Sequence, residues 1–229
     1  MSYLKLDIEY SPVGSIQEKE IGLVICITGT PGVGKTAVSK KLASLLDGKV
    51  IDVGSLIMEK KLFSRYDRYR DTFIVNGDVL RDLLKKLLDK GKNRRTISII
   101  DTHLVELLRD LEIDHVFVLT CDPLLLFNRI MKKEISFKKA VENVVSEFLN
   151  QILVQTYENF DQNKITVVDT SCKSADEVAF EIANNIKSKS PIVKKKSWRQ
   201  ADWSFRAIWI SKLLSSFYGK TSEQLKSDI

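Results

Sequence analysis

Short apolar runs rich in β-branched residues alternate along the chain with longer amphipathic stretches. Residues 21–27 (IGLVICI) form a run of the kind needed by a parallel strand covered on both faces. The run ends in a glycine-rich turn, after which Val38, Leu42, Leu45 and Leu46 recur at helical spacing. Further strands are predicted at 50–53, 97–100, 115–119 and 165–168. Helices are predicted at 56–62, 79–88, 124–133, 137–157 and 176–186, with a break at Gly91-Lys92-Asn93. Strands alternating with helices imply an α/β fold, a central parallel sheet of about five strands with helices on both faces. Residues 1–20 are weakly patterned, with a strand expected at 3–8 and a turn at Pro12-Val13-Gly14.

Composition narrows the class. The chain has 229 residues, 44% hydrophobic and 29% charged, which fits a globular domain and excludes a disordered one. No apolar run approaches the roughly 20 residues that span a bilayer. The N-terminus lacks a basic start followed by an apolar stretch, so no secretory signal is expected. Cys26, Cys121 and Cys172 are odd in number and widely spaced, matching neither a metal site nor a disulfide framework. A reducing cytoplasm is the expected compartment.

Charge divides the chain. The net charge is +6, yet the residues from Lys187 onward hold ten basic and three acidic side chains, a net of +7. The preceding 186 residues therefore carry −1. All three tryptophans, Trp198, Trp203 and Trp209, lie in the same terminal stretch. The organisation read from this is an N-terminal segment (1–20), a body (21–186) and a basic, aromatic extension (187–229).

The chemistry concentrates in Gly29-Thr30-Pro31-Gly32-Val33-Gly34-Lys35-Thr36-Ala37, which fits G-x-x-x-x-G-K-[ST] between a strand and a helix. Glycines let the backbone curl so that its N–H groups face phosphate oxygens, and the following helix adds its positive end. Lys35 is expected to reach the β- and γ-phosphates, and the Thr36 hydroxyl to ligate Mg²⁺. The strand 97–100 runs into Asp101, a carboxylate aimed at the metal or its waters. His103 has two readings: a polar residue at a strand end, or a functional one as orienter of the attacking group or switch for the metal-bound water.

Together with Val53-Gly54, Tyr66-Asp67, Ile100-Asp101-Thr102-His103 and Val116-Phe117-Val118-Leu119, the loop resembles the adenylate kinase isoenzyme 6 family. The resemblance covers roughly residues 21–186. It implies a nucleoside-monophosphate-kinase fold, ATP bound with Mg²⁺, adenylate kinase and ATPase activity, and a role in small-ribosomal-subunit maturation through a ribosomal protein. It places ATP contacts at Gly29, Gly32, Val33, Gly34, Lys35, Thr36, Ala37, Lys133 and Lys173. Asp101 and His103 take the metal side and water side, and Thr36 and Asp101 hold the metal, Asp101 through water. Arg129 matches an arginine on the helix before the lid, and Lys173 a lysine near the adenine. Residues 52–76 correspond to the monophosphate-binding segment and 132–142 to the lid.

The chain also departs from that pattern. Met58 and Val79 stand where the family has basic residues, and Thr120 where it has an arginine. The lid reads Lys133-Glu134-Ile135 instead of R-G-Y, losing the bidentate fork of arginine. Arg65, Arg68, Arg70 and Arg81 are nearby replacements. The extension has no counterpart in the family. Lys194-Lys195-Lys196-Ser197-Trp198-Arg199 precedes two apolar rows at helical spacing: Trp203, Ala207, Ile210, Leu214 and Phe217, and Ala201, Phe205, Trp209 and Leu213. Three readings stand: a helix docked on the body or another subunit, a surface for ribosomal RNA or ribosomal protein, or a membrane-surface helix. Two functions follow: an ATP- and AMP-using kinase, or an ATP-driven small-subunit assembly factor with little AMP kinase activity.

Overall fold

The computed structural model describes residues 22–67, 72–92, 96–133, 135–187 and 202–227. The expected strand at 3–8, the turn at 12–14, Arg68, Arg70, Glu134 and the Lys194–Arg199 stretch lie outside them. Five strands, β1 (Val24–Thr28), β2 (Lys49–Asp52), β5 (Ser98–Asp101), β6 (His115–Thr120) and β7 (Ile165–Asp169), form one parallel sheet in the order β2-β5-β1-β6-β7. A separate antiparallel hairpin pairs β3 (Phe63–Asp67) with β4 (Thr72–Val75).

Period-two alternation sends successive strand residues to opposite faces. Ile25, Ile27, Ile99, Phe117 and Leu119 pack on one side. Their partners are Val38, Leu42 and Leu46 of α1 (Lys35–Leu46), Leu126 and Ile130 of α4 (Pro123–Met131), Ala140 and Val144 of α5 (Phe137–Phe148), and α7 (Ala175–Lys187). Val24, Cys26, Ile100, Val116 and Val118 pack on the other. There they meet α2 (Val53–Glu59), Leu80, Leu84 and Leu88 of α3 (Gly77–Lys92), and Leu153 of α6 (Gln151–Asn159). Among the described residues no helix is long and apolar enough to cross a membrane.

Three expectations need correction, the first being the break at Gly91-Lys92-Asn93, because α3 runs on through Gly91 to Lys92. The stretch 137–157 is two helices, not one. Asn150 takes a left-handed backbone (φ 54°), and the Leu149 and Asn150 amides bond back to Val145 and Glu147. Asparagine tolerates that region better than most residues, so it ends α5 and opens α6. The helix expected at 56–62 starts earlier, because the Asp52 carboxylate caps the Ser55 amide at 2.9 Å, and it stops at Glu59. The hairpin was not anticipated at all. It is held by its ladder and by Phe63–Phe73 and Tyr66–Phe73 ring contacts at 4.4 and 5.1 Å.

The extension continues as α8 (Ala207–Ser227), after a short 3₁₀ turn at Ser204–Arg206. It is docked on the body. Trp203 and Ile210 are buried, one in each of the two cores. Trp209 meets Phe127 of α4 at 5.8 Å, and Phe217 meets Phe137 of α5 at 6.1 Å. The apolar rows are only partly used, since Phe205 and Ala207 face solvent and Ala201 lies outside the described residues.

Candidate functional site

β1 and β5 lie side by side with Ile27 opposite Asp101, and β2 and β5 with Asp52 opposite Asp101. The carboxyl ends of the strands therefore gather three groups: the glycine loop after β1 and the two strand-ending aspartates. In open parallel sheets this edge is where ligands bind. Gly29, Gly32 and Gly34 have φ of 138°, 102° and 110°, values that L side chains rarely adopt. At Gly29 the need is also spatial, because a Cβ would stand 2.2 Å from the Leu119 carbonyl oxygen of β6. At Gly34 a Cβ would meet nothing within 4 Å, so the loop opens there.

Lys35 folds its ammonium back over the loop, donating to the carbonyls of Gly29 (2.8 Å) and Thr30 (3.2 Å). Burial pulls its pKa down to about 8, against the pull of Asp101, Glu147 and Asp52. Anionic oxygens in the loop would restore its full charge. Thr36 hydrogen-bonds Asp101, whose pKa is raised by burial, a rise opposed by Thr36 and Lys35. Asp101 is 4% exposed and its Oδ2 has no partner. A buried carboxylate oxygen left unpaired beside a hydroxyl is the donor set a hydrated Mg²⁺ uses, so these residues fit the ion. Among the described residues no cluster of three or more His, Cys, Asp and Glu could hold a metal unaided. Such an ion would therefore rely on phosphate and water oxygens as well.

A second part of the site adjoins the loop. A cavity of about 430 Å³ is lined by Gly32, Val33, Gly34 and Ala37, by Arg129, Lys132 and Lys133 on the α4 side, and by Thr170, Lys173 and Val178. The expected Gly32, Val33, Gly34, Ala37, Arg129, Lys133 and Lys173 are thus brought together. Arg129 donates to the carbonyls of Thr170 (2.6 Å) and Ser171 (3.0 Å) and to the Thr170 hydroxyl (3.1 Å), locking one wall. Lys173 is paired with Glu181 at 2.6 Å on the outer rim. Gly29, Lys35, Thr36, Asp101 and His103 do not line the cavity; Thr36 and Lys35 lie by Asp101, and Lys35 also by His103. Protein packed around His103, then Lys35 and Lys139, lower its pKa, although the ring still reaches solvent.

Two contributors escaped the sequence reading. Asp52 is a strand-ending aspartate like Asp101 and could have been found by the same sign. Glu147, deep in α5, could not. Its Oε1 accepts from the Cys121 amide at 2.8 Å, and its carboxyl also bonds the Thr30 side chain of the loop. Burial raises its pKa to about 7, opposed by those bonds and by Lys35.

The positions expected to carry acceptor-side cations are uncharged in this chain. Met58 and Val79 are 52% and 48% exposed, and Thr120 is buried with its hydroxyl unpartnered. Arg81 is held between Asp78 (3.2 Å) and Asp110 (3.6 Å). Where a lid is expected at 132–142, the described residues form a turn at Lys132 and Lys133 and, from Phe137, helix α5, whose first turn is capped by Ser136.

Comparison with known proteins agrees with this geometry. Residues 25–150 match the family described as "AAA domain". A protein of Methanocaldococcus jannaschii called "Putative adenylate kinase" is 30% identical over 81% of this chain and 98% of its own length. One from Saccharolobus solfataricus with the same name is 32% identical over 71% and 82%. In structure, the chain resembles thymidylate kinase from Candida albicans, with a TM-score of 0.50, 19% identity, and 73% and 92% of the two chains covered. The fold is that of P-loop nucleoside monophosphate kinases, and by sequence the chain belongs to the family of the archaeal adenylate-kinase-like proteins.

Proposed function

We propose that the chain transfers the γ-phosphoryl group of ATP to AMP, giving two ADP, with hydrolysis of ATP as a slower side reaction. One observation carries this reading: a glycine loop with Lys35 and Thr36 set beside a buried, half-unpartnered Asp101. The loop amides and Lys35 bind the phosphates, and the base and ribose lie in the cavity between α4 and residues 170–178. Thr36, and Asp101 through water, would hold Mg²⁺, which would supply neutralisation of phosphate charge. Lys35, charged once phosphate is present, stabilises the charge that spreads over the transferred group. His103 orients the attacking oxygen from the solvent side. Arg129 keeps the nucleotide-side wall fixed, so that less ordering is left for the moment of binding.

Each missing positioned donor on the acceptor side costs about 10²–10³ in rate. With Thr120, Met58 and Val79 in place of cations, AMP phosphorylation is slow relative to a fully equipped kinase. That same poverty favours a second reading, an ATP-driven factor that assembles with a small-subunit ribosomal protein or RNA through the basic extension. A coupled assay of the full chain with Mg-ATP, with and without AMP, separates the two. AMP-dependent ADP at two per ATP consumed supports the kinase. Slow ADP formation indifferent to AMP overturns it in favour of the second.

A further inference from the structure

One ion pair ties the extension to the start of α4. Arg206 forks onto Asp122, with Nε at 2.9 and 3.0 Å from the two carboxylate oxygens and Nη2 at 2.6 Å from Oδ2. Asp122 is itself buried and caps α4, its Oδ1 accepting from the Leu124 amide at 2.8 Å. Its own amide donates to the Ser171 hydroxyl at 2.8 Å. The Ser171 and Thr170 carbonyls are the ones that Arg129 holds, and the Thr170 hydroxyl lies 3.0 Å from the Val33 carbonyl in the phosphate loop. A continuous set of hydrogen bonds thus runs from the extension through the α4 cap to the loop. Helix α4 also leads into Lys132 and Lys133, so its start is fixed by Arg206 and its end lines the cavity.

Packing makes the same connection. Trp203 anchors one core, Ile210 the other, Trp209 rests on α4 and Phe217 on the first turn of α5. The two lysines of the turn between α4 and α5 are therefore bracketed by residues that the extension holds.

We propose that residues 203–217 form a strap that braces the nucleotide cavity from outside, through α4 and the 170–171 loop, with Arg206 as its positioning residue. Nucleotide occupancy and strap docking are then coupled, each strengthening the other by the same factor. Without Arg206, Asp122 is a nearly buried carboxylate with an amide as its remaining partner. The α4 cap, the 170–171 loop and the Arg129 clamp lose their fixed reference. The strap's apolar residues, when undocked, become available to solvent or to another surface. This rests on the cavity being the ATP site.

The test uses the full chain and a non-hydrolysable ATP analogue with Mg²⁺. Two quantities are measured: analogue affinity by calorimetry, and amide exchange over residues 203–217 with and without the analogue. Arg206→Ala weakens affinity by about tenfold, a middling coupling. Arg206→Lys, which keeps the charge but not the fork, falls between. In the parent, exchange over 203–217 slows when the analogue is bound. A role confined to holding the fold together predicts neither the exchange response nor graded affinities. If the parent binds the analogue but exchange is unchanged, or Arg206→Lys and Arg206→Ala bind as the parent does, the strap proposal is overturned. If the parent binds no nucleotide, the cavity assignment fails and takes the strap with it. Should Arg206→Ala not fold, the exchange measurement on the parent and the lysine variant decide alone.

Discussion

Two glycines of the phosphate loop are expected to fail in different ways when given a methyl group. Both have positive φ, so Gly29→Ala and Gly34→Ala each take on backbone strain of about 1–3 kcal/mol. At Gly29 the new Cβ would also sit 2.2 Å from the Leu119 carbonyl oxygen and 3.1 Å from a Val33 methyl. That oxygen belongs to the central sheet and cannot move aside, so overpacking adds about 1–3 kcal/mol more. At Gly34 nothing is crowded, but the methyl would stand at the opening where phosphate enters. In a protein of this size each kcal/mol lowers Tm by about 2–4 °C. Gly29→Ala should therefore melt about 10 °C below the parent and Gly34→Ala about 5 °C below it, by the same scaling. Affinity for ATP should show the opposite order, with Gly34→Ala the weaker binder among folded variants. Scanning calorimetry and titration of ATP on the same preparations give both quantities. Equal melting temperatures, or a Gly34→Ala protein that binds ATP as the parent does, would refute the placement of the phosphate site.

Further outcomes follow from the buried charges. Lys35→Met should abolish ATP turnover while leaving Tm equal or higher, because it removes an ammonium whose burial already lowers its pKa to about 8. Turnover comparable to the parent's would refute its role. Asp101→Asn should remove the Mg²⁺ dependence of ATP affinity, and it should not destabilise, since Oδ2 has no partner to lose; a magnesium titration checks both. Glu147 holds its proton more tightly folded (pKa about 7) than unfolded, so ionising it costs stability. Its contribution is fully present below about pH 4.5 and is lost as pH rises from there through about 7. Over that interval the parent's Tm should fall more than that of Glu147→Gln, as thermal melts in matched buffers would show; parallel curves would contradict this.

The loop was legible because its function fixes local sequence: glycines, lysine and threonine must lie within eight residues between a strand and a helix. Asp101 was legible because a strand end next to that helix is a definable place. Glu147 was not, because its partners are Thr30 and the Cys121 amide, and only the fold brings them to α5. The hairpin was hidden for another reason. FSRYD and TFIV are short, and their pairing depends on Phe63, Tyr66 and Phe73 meeting across strands. The break between α5 and α6 turns on one left-handed residue, Asn150, within an otherwise unbroken helical pattern. For the extension, spacing announced an apolar face but not what it covers, and Arg206 carries no periodic signal at all.

The most direct test is a crystal structure of the full chain with Mg²⁺ and a two-substrate analogue, two adenosines joined by five phosphates. The account predicts phosphate density against the Gly29–Thr36 loop with Lys35 turned toward it, and one adenosine in the cavity between Arg129, Lys133 and Lys173. The second adenosine should lie on the side of α2 and the β3–β4 hairpin. Phosphates bound away from the loop, or an empty cavity beside an ordered analogue, would contradict it.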